Sequence, residues 1–180
     1  VRSIPNVQIR KFAKTFQDMS STHRNLSQIE GSGIPDGKGM RMGIVLSEWN
    51  SEITGSLFDG AVKTLVANGV SKDDIIITTV PGSFELTLGS QFLCEDKSID
   101  AVIALGCVIQ GETRHFDFIC DAVAHGITNV SLKYNKPVIF GVLTPNDQQQ
   151  AIDRSGGKHG NKGDEAAITA LKMVALKKGL

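Results

Sequence analysis

The sequence predicts an α/β fold: a three-layer α/β/α sandwich around a four-stranded parallel sheet. Three observations carry this. Four short apolar runs are nearly unbroken, as strands covered on both faces tend to be. The stretches between them repeat apolar residues at helical spacing. The composition, with aromatics at 6% and 19 glycines, suits an aliphatic core joined by many short turns.

The first strand is Met42-Gly43-Ile44-Val45-Leu46-Ser47. After Glu48-Trp49-Asn50-Ser51, the positions Ile53, Leu57, Phe58, Ala61 and Leu65 trace one helix face, and Asn68-Gly69 supplies a stop. The second strand, Ile75-Ile76-Ile77-Thr78-Thr79-Val80, is β-branched throughout and ends at Pro81-Gly82. Ser83 is placed to cap the next helix, in which Phe84, Leu88 and Phe92 recur at every fourth position. The third strand covers residues 100–105. The helix beyond it carries a stripe of Phe116, Ile119, Cys120, Val123, Ile127 and Val130. The fourth strand is Pro137-Val138-Ile139-Phe140-Gly141-Val142-Leu143. Thr144-Pro145 then reads as a helix start, with Thr as N-cap and Pro at the first helical position, and the helix reaches Arg154. Residues 155–163 read as a Gly- and Lys-rich loop. The last helix opens with Asp164-Glu165 and closes with Lys177-Lys178, charges that complement its dipole at both ends.

The chain has 180 residues and a formal net charge of +0, which suits one domain with a real core and gives no sign of nucleic acid or membrane as a partner. No apolar run approaches the length of a membrane span. Cys94, Cys107 and Cys120 lack metal-ligand spacing and leave an odd thiol, which fits a reducing compartment and free, mostly buried thiols. Residues 1–38 differ from the rest. They are basic, contain several Ser and hold little periodicity, and Gly31 to Gly39 is loop-forming. Their composition fits a flexible arm and a leader remnant equally, with a short strand near Leu26–Glu30. The domain proper is then 39–180.

The chemistry belongs in the stretch Leu105-Gly106-Cys107-Val108-Ile109-Gln110-Gly111-Glu112-Thr113-Arg114-His115-Phe116. A strand, a Gly-bounded loop and a helix place backbone N–H groups where an anion binds. Thr113 adds a hydroxyl, and histidine is the side chain that trades protons near neutral pH. Taken alone, the stretch fits better a tight βα turn with a surface histidine. The other strand ends change that balance, because ligands of such folds bind beyond them. Trp49, the only tryptophan, offers a flat face or a plug at the sheet edge. Glu85 opens a helix. Arg154 and Lys162 flank the Gly-rich loop, either as solvated charges or as cations for a phosphate. No GxGxxG follows the first strand and no GxxxxGK[ST] occurs, which disfavours dinucleotides and nucleoside triphosphates.

Four ordered motifs then carry a resemblance. They are Val80-Pro81-Gly82-Ser83-Phe84-Glu85, Gly106-Cys107-Val108-Ile109-Gln110-Gly111-Glu112-Thr113-Arg114-His115-Phe116, Pro137 to Thr144, and Gln150-Ala151-Ile152-Asp153-Arg154 through Ser155-Gly156-Gly157-Lys158-His159-Gly160-Asn161-Lys162-Gly163. From about Gly39 onward the chain closely resembles the lumazine synthase family of riboflavin biosynthesis. The resemblance implies a flavodoxin-like sheet and a condensation that uses no metal or other cofactor. The amine of 5-amino-6-(D-ribitylamino)uracil attacks the ketone of 3,4-dihydroxy-2-butanone 4-phosphate. A Schiff base forms, phosphate leaves, and the ring closes to 6,7-dimethyl-8-ribityllumazine with loss of water.

Residue by residue, the resemblance implies that Trp49, with Asn50 beside it, stacks on the pyrimidine. Ser83, Phe84 and Glu85 hold the ribityl chain. Cys107, Val108 and Ile109 contact the ring through backbone. Glu112, Thr113, Arg154 and Lys162 bind phosphate, and His115 transfers protons. Phe140 is supplied to a neighbour's pocket. It further implies a homo-oligomer, a pentamer or a sixty-subunit shell of pentamers, with riboflavin synthase as a candidate partner. The short joint at 156–163 resembles the shell-forming members, while the long arm with Pro35 argues against close packing of pentamers. The setting is cytoplasmic, or plastid if residues 1–30 are a transit remnant. Some positions depart from the family pattern. Trp49 stands where Phe is commoner, and Gln110 where a basic residue is frequent. Glu112 puts an acid at the phosphate turn, so its contact is expected through backbone, with Arg114 as a candidate partner for the carboxylate. A non-catalytic lumazine- or flavin-binding protein, or a shell-forming one, is the alternative on the same fold, but it would need neither His115 nor Arg154.

Overall fold

The computed structural model of the protein describes residues 33–180. The strand expected near Leu26–Glu30, the leader reading and residues 1–32 of the arm lie outside the described residues.

Strands β1 (Met42–Ser47), β2 (Ile75–Val80), β3 (Ala101–Cys107) and β4 (Val138–Leu143) form one parallel sheet in the order β2-β1-β3-β4. Helices α1 (Ser51–Ala67), α2 (Leu86–Glu95), α3 (His115–Tyr134), α4 (Gln148–Arg154) and α5 (Lys162–Lys178) alternate with or follow them. This is the flavodoxin-like arrangement. The first connection leaves β1 in one direction and the next crosses back over it, so the strand order reverses between β1 and β3.

Two apolar layers hold the sheet. On one face, Met42, Ile44, Ile103 and Leu105 meet Ile53, Leu57, Ala61 and Leu65 of α1 and Ala167, Ala170, Leu171 and Val174 of α5. On the other, Val45, Val102 and Ala104 meet Leu86 of α2 and Val123, Ile127 and Val130 of α3. Each fully buried Leu or Ile contributes roughly 1.5–3 kcal/mol. The α1–α5 contact is close because Gly163 has no side chain: a Cβ there would run into the Leu57 carbonyl.

Four local readings are corrected. The second strand is not covered on both faces. It is an edge strand, and Ile77 is half exposed. The helical repeat Phe84, Leu88, Phe92 also faces outward, while Leu86, Gly89, Ser90 and Cys94 turn to the core. Thr144 does not cap α4. Asp147 does, its carboxylate accepting from the Gln150 N–H at 2.8 Å. The reason is tertiary: the Pro145 carbonyl accepts from the Gln110 N–H at 2.9 Å and keeps the chain alongside the loop after β3. Finally, the Gly-rich segment is no irregular loop. It folds as a small antiparallel hairpin, β5 (Ser155–Gly157) and β6 (Gly160–Asn161), and α5 begins at once at Lys162.

Candidate active site

Backbone pairing continues past the carboxyl ends of the strands and sets the functional loops side by side. The Glu48 and Trp49 N–H groups donate to the Val80 and Pro81 carbonyls at 2.9 and 3.2 Å. On the other side, the Val108 N–H donates to the Leu143 carbonyl at 2.8 Å. Between them, above β1 and β3, opens a cavity of about 660 Å³. Its walls include Trp49, Asn50, Ser83, Phe84, Glu85, Cys107, Val108, Ile109, Thr113 and His115. Ten of the residues singled out in the sequence thus meet in one place, at the point where the strand order reverses.

Each is positioned by its local sequence. Trp49 is 72% exposed and lines the cavity. Ser83 lies inside a 3₁₀ turn, Ser83–Glu85, that leads into α2. It is therefore no helix cap. Its hydroxyl is buried, has no hydrogen-bond partner among the described residues, and fills the space that a side chain on Gly106 would take. His115 is the first residue of α3, and its N–H donates to the Thr113 hydroxyl oxygen at 3.4 Å. Burial, helped by the nearby Cys120, pushes the Cys107 thiol up to about 11. At neutral pH Cys107 is thus a neutral wall and not a nucleophile. Phe116 and Ile119 also line the cavity, although their spacing marks them only as helix core.

Four predicted residues do not line this cavity. Arg154 and Lys162 line a second cavity, of about 220 Å³, with Thr144, Pro145 and Gln150. Phe140 lines a third, of about 270 Å³, with Ile127, Leu132 and Val138. Glu112 sits on the exposed loop between Gly111 and Thr113. Its expected partner is otherwise engaged: the Arg114 guanidinium reaches Asp117 at 3.7 Å and lies over the Phe118 ring. The shorter reach of an i, i+3 pair on one helix explains that choice. Lys162 donates to the buried carboxylate of Glu165 at 2.8 Å.

Residues 39–178 match the family of 6,7-dimethyl-8-ribityllumazine synthases. The chain belongs to that family. A 6,7-dimethyl-8-ribityllumazine synthase of Cytophaga hutchinsonii is 64% identical over 157 residues, covering 87% of this chain and 98% of that protein. Those of Parabacteroides distasonis and Porphyromonas gingivalis are 51% and 52% identical, over 87% and 89% of this chain and 98% and 99% of theirs. The 157-residue span is longer than residues 39–180, so the likeness to these synthases reaches into the N-terminal segment. The lumazine synthase motifs quoted from the sequence start later than the likeness does. Among the described residues, no helix is long and apolar enough to cross a membrane.

Proposed function

We propose that the chain condenses 5-amino-6-(D-ribitylamino)uracil with 3,4-dihydroxy-2-butanone 4-phosphate to give 6,7-dimethyl-8-ribityllumazine, phosphate and water. The observation that carries this is the single cavity above β1 and β3. It offers a flat aromatic face, a buried hydroxyl, an acid, an anion turn and a histidine together.

Trp49 stacks on the pyrimidine, with Asn50 behind it. Cys107, Val108 and Ile109 give the ring edge its backbone partners. Ser83 and Glu85 take hydroxyls of the ribityl chain, and Phe84 covers its carbon skeleton. The phosphate docks on the turn at Glu112 and Thr113, at the start of the twenty-residue helix α3. His115 moves protons as the amine adds to the ketone, as water leaves to form the imine, and as phosphate departs. Much of the remaining rate enhancement comes from holding two small molecules in register.

Arg154, Lys162 and Phe140 line other cavities of the same chain, so in this reading a second copy brings them to the first copy's site. The outward apolar side chains of Phe84, Leu88, Phe92, Phe118 and Leu132 supply surface for such a contact. We read the assembly as a pentamer that builds a shell, with riboflavin synthase as a candidate partner. A cytoplasmic setting fits the three free thiols and the bacterial relatives. The reaction is tested by mixing the two substrates with the purified protein and recording the fluorescence of the lumazine. No product above the uncatalysed background refutes the assignment.

A further inference from the structure

We propose that Asn161 is a positioning residue for the phosphate: its side-chain amide sets the spacing between Arg154 and Lys162. The inference rests on reading those two cations as phosphate contacts. Arg154 ends α4 and Lys162 begins α5, with the β5–β6 hairpin between them. The hairpin's end pair is Ser155 with Asn161, the two residues that adjoin the cations.

Both ends of the Asn161 amide are engaged. Its Nδ2 donates to the Ser56 carbonyl of α1 at 2.8 Å and to the Ser155 carbonyl of β5 at 3.3 Å. Its Oδ1 accepts from the Gly163 N–H at 2.7 Å and so caps α5. One planar group therefore joins α1, the hairpin and α5. It also rests on Gly60, where a Cβ would come within 2.6 Å of the amide atoms. The Lys162 ammonium is then aimed by Glu165, one turn into the helix that Asn161 caps. Arg154 is one residue from the carbonyl the amide holds. A shift of this amide displaces both cations at once. At the hairpin tip, Lys158 is bound to Asp153 at 3.0 Å, so that charge does not stand in for either.

Two substitutions disturb the amide from opposite sides. Asn161→Asp keeps the acceptor for Gly163 but points a carboxylate oxygen at two carbonyls. Gly60→Ala presses on the amide from α1. Each variant is checked for native circular dichroism, then assayed for the KM of both substrates, kcat, and the dissociation constant of inorganic phosphate by calorimetry. The expected result is a rise of about tenfold in the KM of the butanone phosphate and in the phosphate dissociation constant. The KM of the pyrimidine should stay within about twofold. If Asn161→Asp does not fold, Gly60→Ala carries the test. A folded variant with unchanged phosphate affinity overturns the inference, as does an equal loss for both substrates. Arg154→Ala separates the two layers of argument. If it leaves phosphate affinity intact, the phosphate reading falls and the inference with it. If it weakens phosphate while the other two variants do not, only the role of Asn161 is refuted.

Discussion

The Asn50 side-chain amide donates to the Cys107 backbone carbonyl at 2.9 Å. It does so from a left-handed backbone, at φ 58. The bond ties the loop after β1 to the end of β3, and so fixes Trp49 beside the loop that carries Thr113 and His115. Asn tolerates that backbone better than most residues with a side chain. Asn50→Ala loses the hydrogen bond and strains the turn, at about 2 kcal/mol in urea unfolding. Asn50→Gly loses the bond without the strain and should be the milder change. Both should weaken pyrimidine binding, read directly as quenching of the single Trp49. Unaltered quenching in both variants would show that the tether does not place the indole.

His115→Ala should slow lumazine formation by about 10²–10⁴-fold, the usual worth of a positioned acid or base. His115 is exposed at a helix start, so the melting temperature should hardly move. Single-turnover assays at saturating substrate isolate the chemical step. Wild-type turnover in this variant would remove His115 from the mechanism.

Arg154→Lys should raise the KM of the butanone phosphate, because an ammonium does not reproduce the two-pronged contact of a guanidinium. The pyrimidine should bind as before. Loss of pyrimidine affinity alone would reverse the assignment of the two substrates to their subsites.

Light scattering on the purified protein reports the assembly. The expected particle is a shell, given the short hairpin joint between α4 and α5. A pentamer-sized particle refutes the shell but keeps a site shared between subunits. A fully active monomer refutes both, since its Arg154 and Lys162 face a different cavity from its own His115.

Thiol chemistry should follow burial. Desolvation raises all three thiols, but Cys94 and Cys107 are buried and Cys120 only partly so, and access should let an aromatic disulfide reagent at pH 8 reach Cys120 first. The fold keeps the Cys107 proton up to about 11, whereas an unfolded thiol releases it near 9. Its contribution to stability is therefore full below pH 9 and declines as pH rises toward 11. The urea midpoint of the wild type should fall over that interval more steeply than that of Cys107→Ala. Equal slopes would contradict the raised thiol.

Strands β1 and β2 are legible to the residue because their apolar and β-branched runs are bounded by polar and Pro-Gly positions. The main cavity is legible for a related reason. Its chemical groups stand at strand ends, and a parallel sheet gathers those ends on one side. What the sequence hides is tertiary. The cap of α4 moved to Asp147 because of one bond between Gln110 and Pro145. The hairpin at 155–161 is masked by its glycines, which read as a loop whichever way they fold. The division of Arg154, Lys162 and Phe140 among other cavities follows from the path of the chain, which residue types do not encode.

The fit of Gly163 against the carbonyl of Leu57 has a consequence for synthesis. Helix α1 leaves the ribosome early, but much of its apolar face is covered by α5, which follows every other described element. At ordinary elongation rates of about 5–20 residues per second, that face waits roughly 5–20 s for its cover. During that time Ile53, Leu57, Ala61 and Leu65 are open to other nascent chains and to chaperones. Premature termination before α5 should therefore yield an aggregating fragment rather than a smaller folded protein.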